Sequence, residues 1–298
     1  MSASQKGLFE DEPSRFAEAH DTKTKTDSVL SWFGSDSEVS EEIASRFDGC
    51  THVTIPFFGG GAVAKYLSAR VIVANDIHAD AINFYRVLCS EGEESLTLIA
   101  RCKHTLSHPG EINEAENTIK DVAGGLYVSP IKRAWAYWAL CWLGRKGKGG
   151  TKHVGGEGSV RRTGGGGGNA SRIVAAAYDL HAWAEIMKRC EWESRDFREV
   201  LADVKDREDC GLYVDAPWYK AGRNYLHPFM EKDHRDLHGG LSRFDKTRIL
   251  IRYDDCEFIR ELYSGDKWAI EDRQTRNQGS NESGGKTSEI WITHRGDC

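Results

Sequence analysis

An aspartate, a proline and a tryptophan directly follow the apolar run Gly211–Val214, in the order Asp215-Ala216-Pro217-Trp218. The exocyclic amine of a nucleobase is a poor nucleophile, because its lone pair is delocalised into the ring. The Asp215 carboxylate and the Ala216 carbonyl could both accept hydrogen bonds from such an amine and aim its lone pair at an incoming methyl group. Pro217 biases Ala216 towards an extended conformation, which fixes the direction of that carbonyl. Trp218 offers a stacking surface for a base taken out of the double helix.

A glycine turn of the type that binds adenosine-containing cofactors lies earlier in the chain. Gly59-x-Gly61-x-x-Ala64 follows an apolar run, and Asp76 stands 17 residues after Gly59, at the end of the next apolar run. Glycines let the backbone approach a ligand closely, and a carboxylate at the second strand accepts hydrogen bonds from ribose hydroxyls. Such a turn does not distinguish between cofactors, so NAD stays open here. Alternatively, both motifs are ordinary turns with an aromatic side chain for packing; their joint presence favours a functional site.

The elements around these motifs alternate between strand and helix. The sequence predicts strands at 53–58 and 71–74, and helices at 62–69 and 79–89. Further strands are predicted at 211–214, 248–252 and 289–293. Strand, glycine turn, helix and strand open a doubly wound α/β fold, in which ligands bind at the carboxyl ends of the strands.

The composition favours a globular protein and argues against a membrane-spanning one. The 298 residues are 39% hydrophobic and 29% charged, with a net charge of -6, and no apolar run is long enough for a membrane helix. Residues 1–6 are not followed by an apolar stretch, so we expect no secretory signal and an intracellular protein. The eight cysteines form no Cys-x-x-Cys pair, so no zinc site and no other metal is expected.

Eight short segments of the chain are similar to the motifs of one protein family and follow the same order along the chain. The chain resembles the D12 class of DNA adenine-N6 methyltransferases, the group that includes Dam-type enzymes and many phage methylases. The segments that carry the resemblance are Trp32-Phe33-Gly34, Pro56–Gly61, Ala74–Ile77, Ile82–Tyr85, Asp196-Phe197, Tyr213–Trp218, Asp233-His234 and Glu289–Ile292.

The resemblance implies a Rossmann-like sheet that binds S-adenosylmethionine, with a largely helical, glycine-rich insert that recognises DNA. It implies site-specific methylation of a flipped-out adenine, to N6-methyladenine, in phage DNA modification or a restriction-modification system. The implied catalytic residues are Asp215, Ala216, Pro217 and Trp218. The implied cofactor-binding residues are Trp32, Phe58, Gly59, Gly61, Asp76, Asp196 and Phe197.

The sequence departs from the family pattern at four positions. Ala216 replaces a proline and Trp218 replaces a tyrosine, which leaves a backbone carbonyl and an aromatic face in place. Asp36 stands where the family has a lysine, and Ile55 where it has an acid, at the methionine end of the cofactor. One alternative is therefore a catalytically weakened DNA-binding homologue. A second alternative, which we rank last, is an NAD-dependent oxidoreductase. Asp215 would have no role in such an enzyme.

The chain divides into a tail at 1–27, a catalytic domain at 28–95 and 186–298, and the insert at 96–185. Twelve glycines lie between Gly144 and Gly168. Basic side chains in and beside this loop would contact DNA phosphates, although a surface loop with incidental charge has the same composition. They are Arg145, Lys146, Lys148, Lys152, Arg161, Arg162 and Arg172. We predict double-stranded DNA as the partner, no membrane, a monomer or weak dimer, and the cytoplasm of a bacterial or phage-infected cell.

Overall fold

A seven-stranded sheet forms the centre of the protein. The computed structural model describes residues 23–35, 37–144, 149–152, 169–276 and 286–294. In chain order the strands are β1 His52–Ile55, β2 Val71–Asn75, β3 Cys190–Glu193, β4 Cys210–Val214, β5 Arg248–Asp254, β6 Trp268–Arg276 and β7 Lys286–His294. The helices of the described residues are α1 Ser40–Ser45, α2 Ala79–Leu88, α3 Glu93–Lys103, α4 Pro109–Ala123, α5 Pro130–Leu143, α6 Asn169–Met187, α7 Phe197–Asp203, α8 Glu231–Ser242 and α9 Glu257–Leu262.

The strand order places a ligand crevice at one point of the sheet. The order is β3-β2-β1-β4-β5-β7-β6, with β1 to β5 parallel and β6 and β7 antiparallel to their neighbours. The chain builds outwards from β1 to β3 and then returns to add β4 on the other side of β1. Ligands of open α/β sheets bind beyond the carboxyl ends of the strands at such a reversal. The predicted Rossmann-like α/β fold is confirmed.

Helix α5 packs in the middle of the molecule, and its residues from Ala134 to Leu143 are all buried. A helix that is apolar on every side must be covered on every side, and α5 packs against α2, α3, α4 and α6. Its side chains belong to the same hydrophobic core as Val53 and Ile72 of the sheet. The predicted insert therefore shares one core with the catalytic elements, and its role in DNA recognition stays a prediction.

The segment before the first strand is attached to α6. Asp179 accepts hydrogen bonds from the Thr26 backbone N–H at 2.6 Å and from the Thr26 hydroxyl at 3.0 Å. The Trp183 indole N–H in turn donates to the Thr26 hydroxyl at 3.0 Å. Most of the predicted tail lies outside the described residues, but residues 23–27 are ordered against the core by these bonds.

The helix predicted at 62–69 forms only a short 3-10 turn, Val63–Lys65. The Tyr66 backbone N–H donates to the Val63 carbonyl at 3.0 Å, which is the three-residue spacing of a 3-10 turn. No side chain caps the start of this turn, and the chain has to reach β2 within a few residues. The prediction of a helix here is wrong, whereas the strands on both sides of it are present.

Candidate active site

A cavity of about 660 Å³ opens at the carboxyl ends of β1, β2, β4 and β5. This volume lies within the range of about 300–1,000 Å³ typical of small-molecule sites. The cavity is lined by all the predicted cofactor-binding residues and by three of the four predicted catalytic residues: Trp32, Phe58, Gly59, Gly61, Asp76, Asp196, Phe197, Asp215, Pro217 and Trp218. Ala216 is buried in the hydrophobic cluster beneath it.

The glycine turn needs its glycines because of the aromatic side chains around it. Gly59 and Gly61 have φ values of +55° and +76°, in the left-handed region that favours glycine. A Cβ atom at Gly59 would lie 2.9 Å from the indole nitrogen of Trp32, and one at Gly61 would lie 2.9 Å from the ring of Phe58. The turn is therefore closely packed against two side chains that themselves line the cavity.

Asp76 holds the glycine turn against the end of β2. Its Oδ2 atom accepts a hydrogen bond from the Gly59 backbone N–H at 2.9 Å, and its Oδ1 atom accepts one from the His78 backbone N–H at 2.9 Å. The carboxylate is almost fully buried. Each carboxylate oxygen can accept more than one hydrogen bond, so Asp76 can fix the turn and still accept from a ligand hydroxyl.

Asn75, to which the sequence analysis assigned no role, joins three loops at the cavity. Its side-chain amide donates to the Pro56 carbonyl at 2.9 Å and to the Arg195 carbonyl at 3.0 Å, and its oxygen accepts from the Arg195 N–H at 2.9 Å. One buried amide thus joins the loops that follow β1, β2 and β3. A polar residue at the end of an apolar strand, next to Asp76, is the signal that could have identified it.

Asp196 and Phe197 begin helix α7 at the cavity wall. The Asp196 side chain caps the helix by accepting from the Arg198 N–H at 2.9 Å, and it pairs with the Arg198 guanidinium at 3.0 Å. The Phe197 ring lies 5.4 Å from those of Phe57 and Phe229, measured between centroids. The pair forms an aromatic wall with a carboxylate beside it.

Trp32 is held between two pairs of glycines. On one side lie Gly59 and Gly60, and on the other Gly149 and Gly150, where an added Cβ would come within 2.7 and 2.6 Å of the indole. Backbone hydrogen bonds join the segments, because the Phe33 N–H donates to the Gly149 carbonyl at 3.2 Å. The start of the glycine-rich loop therefore packs directly on the predicted cofactor motif.

Gly150→Ala is expected to destabilise the protein more than Gly125→Ala. Both glycines have a left-handed φ, +85° and +79°, but a Cβ at Gly125 would meet nothing within 4 Å. The strained backbone is common to both variants, whereas only Gly150→Ala forces Trp32 to move, at an overpacking cost of about 1–3 kcal/mol. Urea unfolding of both variants measures the difference. Equal losses of unfolding free energy would show that Trp32 is not confined by Gly150.

Asp215 follows β4 and is fixed by hydrogen bonds to both carboxylate oxygens. Its Oδ1 accepts from the Trp218 indole N–H at 3.2 Å, and its Oδ2 accepts from the guanidinium of Arg252 at 3.1 Å. The other terminal nitrogen of Arg252 donates to Glu289 at 2.8 Å. The Trp291 indole donates to the remaining oxygen of Glu289 at 2.8 Å. Asp215 is thus the outer member of a buried ionic network.

Arg252 and Glu289 were not identified from the sequence, although both line the cavity. Each is a charged residue within a run of buried strand residues, 249–254 in β5 and 289–294 in β7. Buried charges are rare and are normally paired, so an arginine and a glutamate in two such strands were a usable signal. Their pairing was not predictable, because the adjacency of β5 and β7 is a property of the folded sheet.

A family model matches the chain over residues 32–277, which include all the motifs described above except Glu289–Ile292. The model is that of the D12 class N6 adenine-specific DNA methyltransferases. The chain belongs to this family. Membership of a methyltransferase family contradicts the NAD-dependent oxidoreductase that the glycine turn alone left open.

A DNA N-6-adenine-methyltransferase of Escherichia phage P1 is similar to this D12-class chain. The two are 35% identical over 257 residues, which is 82% of this chain and 32% of the phage protein. The chain therefore spans about a third of the length of that relative.

Two titratable side chains at the cavity of this D12-class protein, those of His78 and Tyr225, stay uncharged at neutral pH. Burial lowers the pKa of His78, whose ring contacts the Tyr137 hydroxyl at 3.3 Å. Burial, and to a smaller extent Asp215, raises the pKa of the Tyr225 hydroxyl, which donates to the Phe33 carbonyl at 3.3 Å. Charge in this region accordingly resides on the carboxylates and on the arginines that pair with them.

Several predicted positions lie outside the described residues: Asp36, Arg145, Lys146, Lys148, Arg161 and Arg162. Ile55, which departs from the family pattern, is buried in the cavity wall. The two described residues of the basic set, Lys152 and Arg172, are exposed. Across the described ranges, no cluster of three or more His, Cys, Asp or Glu side chains could hold a metal ion. No helix in that part of the chain has the length and apolar character needed to cross a membrane.

Proposed function

We propose that this chain transfers a methyl group from S-adenosylmethionine to the N6 amine of a flipped-out adenine in double-stranded DNA, at a specific short sequence. The observation that carries this proposal is the position of Asp215. Its carboxylate lies at the carboxyl end of β4, in the same cavity as the glycine turn and Asp76. A hydrogen-bond acceptor for an amine and a site for an adenosine-containing ligand therefore share one cavity.

The cavity residues fit the proposed methyl donor. Asp76 would accept from the ribose hydroxyls, and Asp196 with Phe197 would hold the adenine, because a carboxylate and an aromatic face meet there. Ile55 offers no charge at the methionine end, but the exposed Glu38 also lines the cavity and would take the ammonium group. When bound, S-adenosylmethionine supplies an electrophilic methyl group.

The Asp215–Trp218 turn would make the target amine reactive. The Asp215 carboxylate and the Ala216 carbonyl each accept one N–H of the amine, which draws the nitrogen towards a tetrahedral shape and frees its lone pair. Because the Trp218 indole N–H is bonded to Asp215, its ring is fixed beside the same carboxylate. A flipped base stacked on that ring would have its amine within reach of Asp215.

The described part of the basic loop lies next to this turn. The Lys152 N–H donates to the Asn224 carbonyl at 3.0 Å, and the Leu226 N–H donates to the Gly150 carbonyl at 2.9 Å. The segment at 222–226 follows the Asp215–Trp218 turn in the chain. The exposed side chain of Lys152 would therefore reach phosphates near the flipped base, and salt would weaken the interaction.

Expression in a bacterial host that lacks adenine methylation tests the proposal. Methylation-sensitive sequencing of host DNA is expected to find N6-methyladenine at one recurring short sequence. DNA from cells that express Asp215→Ala to the same level is the matched control and should carry none. Unmodified adenine in both samples, or N4-methylcytosine in the first, would contradict the proposed function.

A further inference from the structure

The network behind Asp215 has a fixed geometry. Arg252 is buried, and its two terminal nitrogens point in different directions, to Asp215 at 3.1 Å and to Glu289 at 2.8 Å. The side chain of Glu289 has no exposed surface, and that of Asp215 is 17% exposed. The three charges thus run from the core of the sheet to the surface of the cavity, in the order Glu289, Arg252, Asp215.

Each inner member of this network requires the other. A buried glutamate without a cation carries an uncompensated charge, and a buried arginine needs acceptors for a planar set of N–H groups. The Trp291 indole N–H holds the second oxygen of Glu289 at 2.8 Å, so the carboxylate cannot rotate freely. Arg252 is consequently locked in the one orientation that directs a terminal N–H at Asp215.

We propose that Arg252, anchored by Glu289, is a positioning residue that keeps the Asp215 carboxylate ionised and aimed at the target amine. This inference rests on the proposed function and adds two residues to it. Only an ionised carboxylate is purely an acceptor; a protonated Asp215 would offer an O–H to an amine that is itself a donor. Because burial disfavours the charged form, a carboxylate that is only 17% exposed would take up a proton more readily without the cation.

Within the described part of the chain, two tyrosines and Glu289 lie near Asp215, and none of them replaces Arg252 in this role. The hydroxyls of Tyr225 and Tyr253 are in electrostatic reach of Asp215, and burial raises the pKa of both. Both stay neutral throughout the working pH range. Glu289 is negative and repels Asp215 directly. It favours the ionised form of Asp215 only indirectly, because it holds Arg252 in place.

The double variant Arg252→Gln/Glu289→Gln tests the proposal. It removes the cation together with the anion that the cation neutralises, keeps amides in both places, and so avoids leaving an unpaired buried charge. At pH 7 we expect the single-turnover rate of methyl transfer to fall about tenfold, because the carboxylate is no longer aimed at the amine, and the pH profile of the rate to move to higher pH. Binding of S-adenosylmethionine should change little, because the loss falls on the chemical step.

Two further variants separate this role from general stability. Arg46→Gln/Glu271→Gln removes another ion pair, at 3.1 Å, in which Arg46 lies over the ring of Trp291 but outside the cavity. It should retain the wild-type pH profile. Arg252→Lys keeps the charge but not the two-pronged geometry, so we expect a wild-type pH profile with a rate lowered about tenfold. A wild-type rate for Arg252→Lys would overturn the positioning role even if the double glutamine variant failed to fold.

A measurement without substrate distinguishes this inference from the proposed function. Carbon-13 NMR of the carboxyl groups, with the Asp215 signal assigned from Asp215→Asn, gives the pH at which Asp215 ionises. This midpoint should move to higher pH in the double glutamine variant. An unmoved midpoint and rate profile in a folded variant would overturn the inference while the methylation proposal stood. If the midpoint moved but the wild-type protein methylated no DNA, the proposed function would be contradicted. The effect of Arg252 on the ionisation of Asp215 would still hold.

Discussion

Asp215→Ala is expected to lower the single-turnover rate of adenine methylation about a thousandfold, within the range of about 10²–10⁴ typical of losing one catalytic hydrogen-bonding group. The amine loses its charged acceptor and keeps only a backbone carbonyl. The fold should survive, because Arg252 and Glu289 still form a buried pair at 2.8 Å. The variant thus removes the acceptor without leaving an uncompensated charge.

Rapid-quench transfer from labelled S-adenosylmethionine to an oligonucleotide measures this effect. Asp121→Ala, at an exposed position of α4 away from the cavity, is the matched control and should transfer at the wild-type rate. Circular dichroism and thermal unfolding establish that Asp215→Ala is folded. A folded Asp215→Ala protein with the wild-type rate would show that the Asp215 carboxylate does not bind the amine.

Asp76→Ala is expected to weaken S-adenosylmethionine binding about a hundredfold. The buried N–H groups of Gly59 and His78 each lose a 2.9 Å hydrogen bond to this carboxylate, at about 1–3 kcal/mol per unsatisfied group. About 2.7 kcal/mol of lost binding free energy is a hundredfold in affinity. The turn relaxes in the variant, and the ribose loses its acceptor as well.

Isothermal titration calorimetry with S-adenosylmethionine measures the loss of affinity. Asp80→Ala is the matched control, since Asp80 lies in the first turn of α2, pairs with Arg133 at 2.6 Å and does not line the cavity. We expect that control to bind like the wild type. Equal affinities for Asp76→Ala and the wild type would place the cofactor away from the glycine turn, even though the turn lines the cavity.

The parts of the fold that were predictable from the sequence are those with local signals. β1, β2 and β4 are short apolar runs that end at turn residues, and burial on both faces of a parallel sheet produces that pattern. The Gly59–Gly61 turn and Asp76 follow two of these strands directly. Since parallel strands end at the same edge, their proximity to Asp215 followed from the fold class.

The parts that were not predictable depend on contacts between distant segments. β3 has four residues with two exposed or half-exposed glutamates, and β6 carries five charged or amide side chains in nine residues. Neither has the apolar run that marks a buried strand. The packing of Gly149 and Gly150 on Trp32 joins segments more than a hundred residues apart, and no local pattern encodes it.

The network of Arg252 and Glu289 illustrates the same limit within the site. Both residues fall inside strands that were predicted, and their charges were visible in the sequence. Whether the two side chains can pair depends on the register between β5 and β7. In the observed register Arg252 lies opposite Trp291, which is two residues from Glu289. β5 and β7 are not consecutive in the chain, so their register is set by the folded sheet and not by a connecting turn. The residues that anchor Asp215 therefore meet only in the folded protein.

The most direct test of the central claim is the identity of the methylated base. Purified protein is incubated with double-stranded DNA and S-adenosylmethionine that carries a deuterated methyl group, and the digested nucleosides are analysed by mass spectrometry. We predict deuterated N6-methyladenine, present with the wild type and absent with Asp215→Ala. Deuterated N4-methylcytosine in its place, or no labelled nucleoside from a protein that binds S-adenosylmethionine and DNA, would contradict the assignment of Asp215 as the acceptor for an adenine amine.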